Sequence, residues 1–149
     1  MRSVRLFLVV LCLGVLSAEA AGGQDALGEE AQRLSQQAVE LYQAGRYQEA
    51  LPLQQRALEL NEQVLGSGHP GITARLNNLA GLHQAMGAFD QALPLYQRAL
   101  KIREKALGPE HPDTSVSLNN LAMLYHSKGA YDQALPLFQR ALKIREKVL

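Results

Sequence analysis

The sequence has a single cysteine, no tryptophan and no excess of charge of either sign. Cys12 is alone, so no disulfide bond can form within the chain. The formal net charge is +1, and the 15 basic and 14 acidic residues are interspersed. Binding to nucleic acid or to an anionic membrane surface requires a concentrated basic region, so we predict neither partner.

Motifs for catalysis and for cofactor binding are also missing. The sequence has no glycine-rich phosphate loop, no serine in a nucleophile-elbow motif and no histidines at zinc-ligand spacing. His69 and His111 lie 42 residues apart in equivalent connectors, and we interpret both as hydrogen-bonding residues at the start of a helix. We therefore predict no catalytic residue, no metal and no cofactor, and we expect that the chain is not an enzyme.

The first 20 residues have the pattern of a signal peptide. Arg2 and Arg5 give a basic start, residues 6–16 are apolar apart from one glycine, and residues 18–20 (Ala-Glu-Ala) match the signal-peptidase site. A helix of 11 residues spans only about 16 Å of a ~30 Å hydrocarbon core. We predict cleavage, no stable membrane insertion afterwards, and export to the periplasm of a bacterium or otherwise secretion. An uncleaved anchor or a buried helix is the alternative.

A 42-residue repeat accounts for most of the remaining chain. Residues 76–107 recur as residues 118–149 with 24 of 32 aligned positions identical, and a looser copy precedes them. A fixed period of this length is typical of stacked helix pairs, none of which can bury its apolar face alone. Residues 21–29 are small and polar, and we predict a disordered lead-in there. The predicted domain covers residues 30–149, with repeats at about 34–75, 76–117 and 118–149.

Each period contains two helices separated by turn-forming residues. In the middle copy, apolar residues from Leu76 to Ala80 recur at helical spacing, and Gly87 suits the left-handed position after a helix end. Asp90 is placed to cap the second helix, as are Asp132 and, more weakly, Gln48 in the other copies. The predicted helices cover residues 30–44, 48–65, 71–86, 90–107, 113–128 and 132–149.

The order of small, apolar and aromatic residues resembles the tetratricopeptide repeat. The signature residues of the middle copy are Leu79, Ala80, His83, Gly87, Phe89, Ala92, Tyr96 and Ala99. Those of the third copy are Leu121, Ala122, Tyr125, Gly129, Tyr131, Ala134, Phe138 and Ala141. The 42-residue period, the LNNLA start and the RALKIREK helix look like the longer variety found in kinesin light chains. The resemblance implies an all-α fold, a right-handed α-solenoid of three helix-turn-helix repeats with six helices.

The resemblance also implies a binding scaffold whose first helices line a concave groove. Copies two and three differ mainly on those helices, so the surface presented can change while the scaffold stays the same. By resemblance to kinesin light chains, asparagines there can bond the backbone of an extended peptide, because an amide both donates and accepts. Hydrogen bonds between neighbouring helices are the alternative role, and both stay open. The predicted groove residues are Asn77, Asn78, Gln84, Asn119, Asn120, Met123 and His126.

Three functions remain open. The leading hypothesis is an exported scaffold that binds a protein or an extended peptide without catalysis. The second is the sensor array of a longer multidomain enzyme whose catalytic domain would follow Leu149. The third is a self-assembling module, since no helix follows to cover Leu135, Leu142 and Ile144, and we predict a homodimer through the last helix.

The first copy departs from the other two in its polarity. Gln37 stands where the later copies have Leu79 and Leu121, and Gln54 stands where they have an aromatic residue. A terminal repeat needs a polar outer face to stay soluble. We therefore interpret the first copy as the cap of the array.

Overall fold

The computed structural model describes the backbone of residues 2–147 and the side chains of residues 22–147. This part of the chain contains α-helices and one short 3-10 helix, Pro70–Ile72, but no β-strand. The all-α repeat fold predicted from the period is confirmed. The α-helices are α1 (Arg2–Gln43), α2 (Tyr47–Leu65), α3 (Thr73–Ala85), α4 (Phe89–Leu107), α5 (Pro112–Ser127) and α6 (Tyr131–Glu146).

Helix α1 is much longer than the first predicted helix. Residues 21–29, predicted as a disordered lead-in, are helical and continue without a break into the packed part of α1. The side chains of residues 1–21 lie outside the described residues, so the signal peptide stays a prediction. Among the helices of the described part, none has the length and apolar character that a membrane span requires.

The second helix of each pair begins without a side-chain cap. The N-cap of α4 is Ala88 and that of α6 is Ala130, and neither makes a side-chain hydrogen bond to the helix start. The predicted caps Asp90 and Asp132 lie instead in the first turn, where a carboxylate still interacts favourably with the helix dipole. The capping prediction is wrong because the turn is shorter than expected; Gln48 likewise lies inside α2.

The turns and connectors otherwise follow the predictions. Gly87 has φ of 72°, the left-handed value expected after a helix end. The Nδ1 atom of His69 accepts a hydrogen bond from the N–H of Gly71 at 3.0 Å, and His111 Nδ1 accepts one from the N–H of Asp113 at 3.1 Å. The role predicted for both histidines at a helix start is therefore confirmed.

In the second and third repeats, an arginine of the second helix contacts the preceding repeat. Arg98 Nη2 lies 2.5 Å from Glu62 Oε1 and donates to the carbonyl of Ser67 at 2.6 Å. The equivalent Arg140 contacts Glu104 at 2.7 Å and donates to a connector carbonyl at 3.2 Å. We call this pair of contacts the arginine bracket. Its partly exposed ion pairs contribute little stability, but they recur at the same register in both inter-repeat junctions.

The apolar core is distributed along the stack, because each helix packs mainly on its neighbours in sequence. At the last junction, Leu118 of α5 is fully buried against Ala141 and Ile144 of α6. The prediction that Ile144 is uncovered is therefore wrong, since this side chain faces α5. Leu135 and Leu142 lie on the opposite face of α6, and each is 58% exposed.

Gln54 lies in the core of the first repeat. It is fully buried, so its interpretation as part of a polar outer face is wrong, whereas Gln37 is exposed on α1. The hydroxyl of Ser35 donates to Gln54 Oε1 at 3.0 Å, and Gln54 Nε2 donates to the carbonyl of Arg75 at 3.3 Å. Burial of this polar residue is tolerated because both ends of the amide are hydrogen-bonded.

Candidate binding groove

Two adjoining cavities lie along the first helices of the repeats. The first has a volume of about 370 Å³ and lies between α1 and α3, with Gln54 of α2 at its base. The second has a volume of about 480 Å³ and lies between α3 and α5, with α4 beneath. Tyr42 and Gly81 line both cavities. We call the two cavities together the groove, and their volumes are typical of ligand sites.

The structure brings together all but one of the predicted groove residues. The first cavity is lined by Asn77 and Asn78, and the second by Gln84, Asn119, Asn120 and Met123. His126 lines neither cavity; its exposed ring packs edge-on against Tyr131, with 5.1 Å between the ring centroids. That these residues bind a ligand stays a prediction.

The asparagines of the groove are not engaged in holding the helices together. Side-chain hydrogen bonds between neighbouring helices use other residues, such as Ser35 with Gln54, and none of the four asparagines takes part among the described residues. Asn77 Oδ1 is buried and receives no hydrogen bond from residues 22–147. A buried acceptor without a donor costs about 1–3 kcal/mol.

Gln84 has a structural role that the sequence did not predict. Its Oε1 accepts a hydrogen bond from the Tyr96 hydroxyl at 3.1 Å, and its Nε2 donates to Ser127 Oγ at 3.1 Å. Burial, together with the proximity of Tyr42, raises the pKa of Tyr96 to about 12, so the phenol remains protonated and donates. Gln84 therefore joins α3, α4 and α5 and fixes the width of the second cavity.

Tyr42 is the main groove residue that was not predicted. It is 42% exposed, and its ring lies 5.2 Å from that of Tyr47, centroid to centroid. The repeat places Tyr42, Gln84 and His126 at the same position. A comparison of this position across all three copies, instead of the last two, would have included Tyr42 among the candidates.

The groove is uncharged. No charged side chain among the described residues lines either cavity. Arg75 lines a separate shallow cavity of about 270 Å³ together with Asn78. Burial lowers the pKa of Arg75 from its usual value. The part of the chain that the structure describes has no cluster of three or more side chains that could hold a metal ion.

The fold and the groove are those of a helical-repeat binding protein. Sequence profiles described as "Tetratricopeptide repeat" match residues 72–147 and residues 31–71. The chain therefore belongs to the tetratricopeptide repeat family. Proteins of this family generally act as scaffolds for protein–protein interaction, and the fold is typically non-catalytic. No curated protein sequence matches the chain.

Solved structures with kinesin-light-chain-like repeats are similar to the chain. TPR-like repeats of a kinesin light chain type from Podosopora anserina are 29% identical with a TM-score of 0.73, over 82% of this chain and 58% of that one. BtubC (BKLC) from P. vanneervenii is 24% identical with a TM-score of 0.74, over 89% of this chain and 54% of that one. The chain thus spans a little over half the length of both.

A plant structure shows the same fold at lower identity. The TPR domain of Arabidopsis FLU is 15% identical with a TM-score of 0.69, over 81% of this chain and 98% of that domain. At this identity, and at that of BtubC, the likeness shows the fold alone.

Proposed function

We propose that the chain is an exported, non-catalytic scaffold whose groove binds an extended peptide or an extended segment of a protein. The observation that carries the proposal is that Asn77 and Asn119 line adjoining cavities, while neither side-chain amide is hydrogen-bonded to a neighbouring helix among the described residues. The proposal of export rests on the signal-peptide pattern of residues 1–20.

Extended backbone is the ligand that suits this arrangement. Asn77 and Asn119 are one repeat apart and lie on successive first helices, in the first and second cavities respectively. Each side-chain amide has an acceptor oxygen and two N–H donors, which match the alternating N–H and C=O groups of a peptide. The ligand would run across the repeats, with its backbone bonded by amides and its side chains in the cavities.

Changing both Asn77 and Asn119 to alanine should weaken ligand binding by about tenfold, because a typical hydrogen bond contributes about 0.5–1.5 kcal/mol. The melting temperature should stay nearly unchanged, since neither side chain bonds a neighbouring helix. A pull-down from the native compartment identifies the partner, and calorimetry then compares its affinity for the wild type and the variant.

Asn61→Ala is the matched control for this experiment. Asn61 Nδ2 donates to the carbonyl of Ala57 within α2, and the residue lines neither cavity. This variant should bind the partner as the wild type does. Should the Asn77/Asn119 variant instead lose more than about 1 kcal/mol of stability, the asparagines hold the stack together and the proposed role is wrong.

Self-assembly through α6 is the second candidate function. In the middle repeat, Leu93 and Leu100 pack against the leucines of α5. Their equivalents Leu135 and Leu142 are 58% exposed, and none of the described residues covers them. We propose that a second copy covers this face by end-to-end pairing of two α6 helices, which closes into a symmetric dimer.

Leu142→Glu should dissociate this dimer, because a carboxylate at the interface would be buried without a partner. Size exclusion with light scattering at micromolar concentrations measures the mass of each protein. Gln133→Glu introduces the same charge at an exposed position of α6, on the side of the helix away from Leu135 and Leu142, and serves as the control. A wild-type chain that is monomeric throughout this range would exclude the dimer.

A further inference from the structure

Gly81 is the place where the groove lacks a side chain. The equivalent residues of the other copies are Val39 and Met123, which line the groove and are 37% and 51% exposed. Gly81 lies in the interior of α3 and lines both cavities. The two cavities therefore meet at the point where the repeat would otherwise place a side chain.

The fold itself does not require a glycine at this position. The φ angle of Gly81 is not positive, so the backbone conformation is open to any residue. A Cβ atom added to Gly81 would meet only the Tyr96 hydroxyl, at 3.7 Å, which is an ordinary van der Waals contact. A glycine inside a helix lowers stability relative to alanine. The space above Gly81 therefore has no explanation in the packing of the described residues.

The walls of this space are apolar rings and neutral polar groups. Tyr42, Phe89, Tyr96 and Met123 line it together with the amides of the asparagines. The Tyr96 hydroxyl already donates to Gln84 and the residue is only 6% exposed, so Tyr42, Phe89 and Met123 provide most of the contact surface. A charged ligand group would lose its hydration here without gaining an opposite charge. The site thus favours an uncharged, apolar group.

We propose that Gly81 is the floor of a specificity pocket, which accepts one large, uncharged, apolar side chain, such as that of leucine or phenylalanine, from the bound segment. The pocket, which we call the Gly81 pocket, consists of the space above Gly81 bounded by Tyr42, Phe89 and Tyr96. The inference rests on the proposed function. Asn77 lines the cavity on one side of Gly81 and Asn119 the cavity on the other, so both can bond the backbone flanking the inserted side chain.

The pocket can be tested with minimal probes, the N-acetyl amides of phenylalanine, leucine, alanine, lysine and glutamate. Each is titrated at millimolar concentration into the full chain labelled with ¹⁵N, and binding is followed by ¹H–¹⁵N NMR. The phenylalanine and leucine amides should shift the resonances of Tyr42, Gly81 and Tyr96. The alanine amide should bind about tenfold more weakly, because it buries much less apolar area. The lysine and glutamate amides should bind no better than alanine.

Two glycine variants distinguish the pocket from a general effect of replacing a helical glycine. Gly81→Met introduces the side chain that the third copy carries at this position and should weaken binding of the phenylalanine amide by about tenfold. Gly28→Met makes the same replacement inside α1, at a position that lines neither cavity and has room for a side chain, and should retain binding. Gly81→Met should raise the melting temperature and Gly28→Met should not lower it, since methionine favours a helix over glycine. Loss of binding in Gly81→Met alone then reflects a filled pocket.

The proposal is overturned if the phenylalanine amide shifts no resonance around Gly81, if Gly81→Met binds it as the wild type does, or if a charged amide binds best. Because the probes have no extended backbone, the outcome is independent of the asparagine experiment. Probe binding at Gly81 together with unchanged partner capture by the Asn77/Asn119 variant would refute the proposed function and leave the pocket. Absence of probe binding at Gly81, together with weakened partner capture by the Asn77/Asn119 variant, would refute the pocket alone.

Discussion

Replacing Leu118 with alanine should lower the free energy of unfolding by about 2–5 kcal/mol, the range for a fully buried leucine whose removal leaves a cavity. Leu118 is completely buried between α5 and α6, where it packs with Ala141 and Ile144. The helices of other repeats cannot move in to fill this cavity, because each helix packs mainly on its immediate neighbours. Urea denaturation followed by circular dichroism measures the change.

Leu142→Ala is the control for this variant. Leu142 is 58% exposed on the opposite face of α6, so the same truncation there should cost much less. The comparison is made at a concentration where the chain is monomeric, which separates stability from assembly. A loss below about 1 kcal/mol for Leu118→Ala would contradict the burial described here.

Gln54→Leu should lower the free energy of unfolding by about 1–3 kcal/mol, although the new side chain is apolar and similar in size. The variant removes the acceptor of the Ser35 hydroxyl and a donor to the carbonyl of Arg75, both of them at a buried position. A buried hydroxyl without a partner has lost its hydration and gained nothing in return. Chemical denaturation of the purified variant gives the size of the loss.

Two further variants serve as controls for the Gln54→Leu experiment. Gln55→Leu replaces an exposed residue of the same helix and should change stability by less than about 0.5 kcal/mol. Adding Ser35→Ala to Gln54→Leu removes the orphaned hydroxyl and should restore much of the loss. Equal stabilities for Gln54→Leu and Gln55→Leu would show that the buried hydrogen bonds contribute nothing.

Local sequence signals were sufficient to predict most of the fold. The repeat defines α2 to α6 to within three residues, because glycines, prolines and apolar spacing mark the same boundaries in each copy. The capping role of Asp90 was not predictable in the same way. An aspartate suits both the cap and the first turn, and the length of the turn before it decides between the two positions.

Residues whose environment depends on distant parts of the chain were predicted less well. Gln54 was expected at the surface because it is polar, yet its burial depends on Ser35 and Arg75, which only the packing of three helices brings to it. Gln84 pairs with Ser127, 43 residues away, so no alignment of equivalent positions connects the two. The four asparagines line the cavities because the first helix of each repeat faces the same side of the stack, and their binding of a ligand stays a prediction.

The arginine bracket has a consequence for how such an array can grow in evolution. A unit such as residues 76–117 contains the arginine that reaches back and the glutamate and connector carbonyl that the next arginine meets. Each copy thus provides an arginine to the copy before it, and a glutamate and a carbonyl to the copy after it. A duplicated unit would find compatible partners at both of its ends without any compensating substitution. The number of repeats is then a quantity that unequal recombination can change in single steps, while the junction chemistry stays the same.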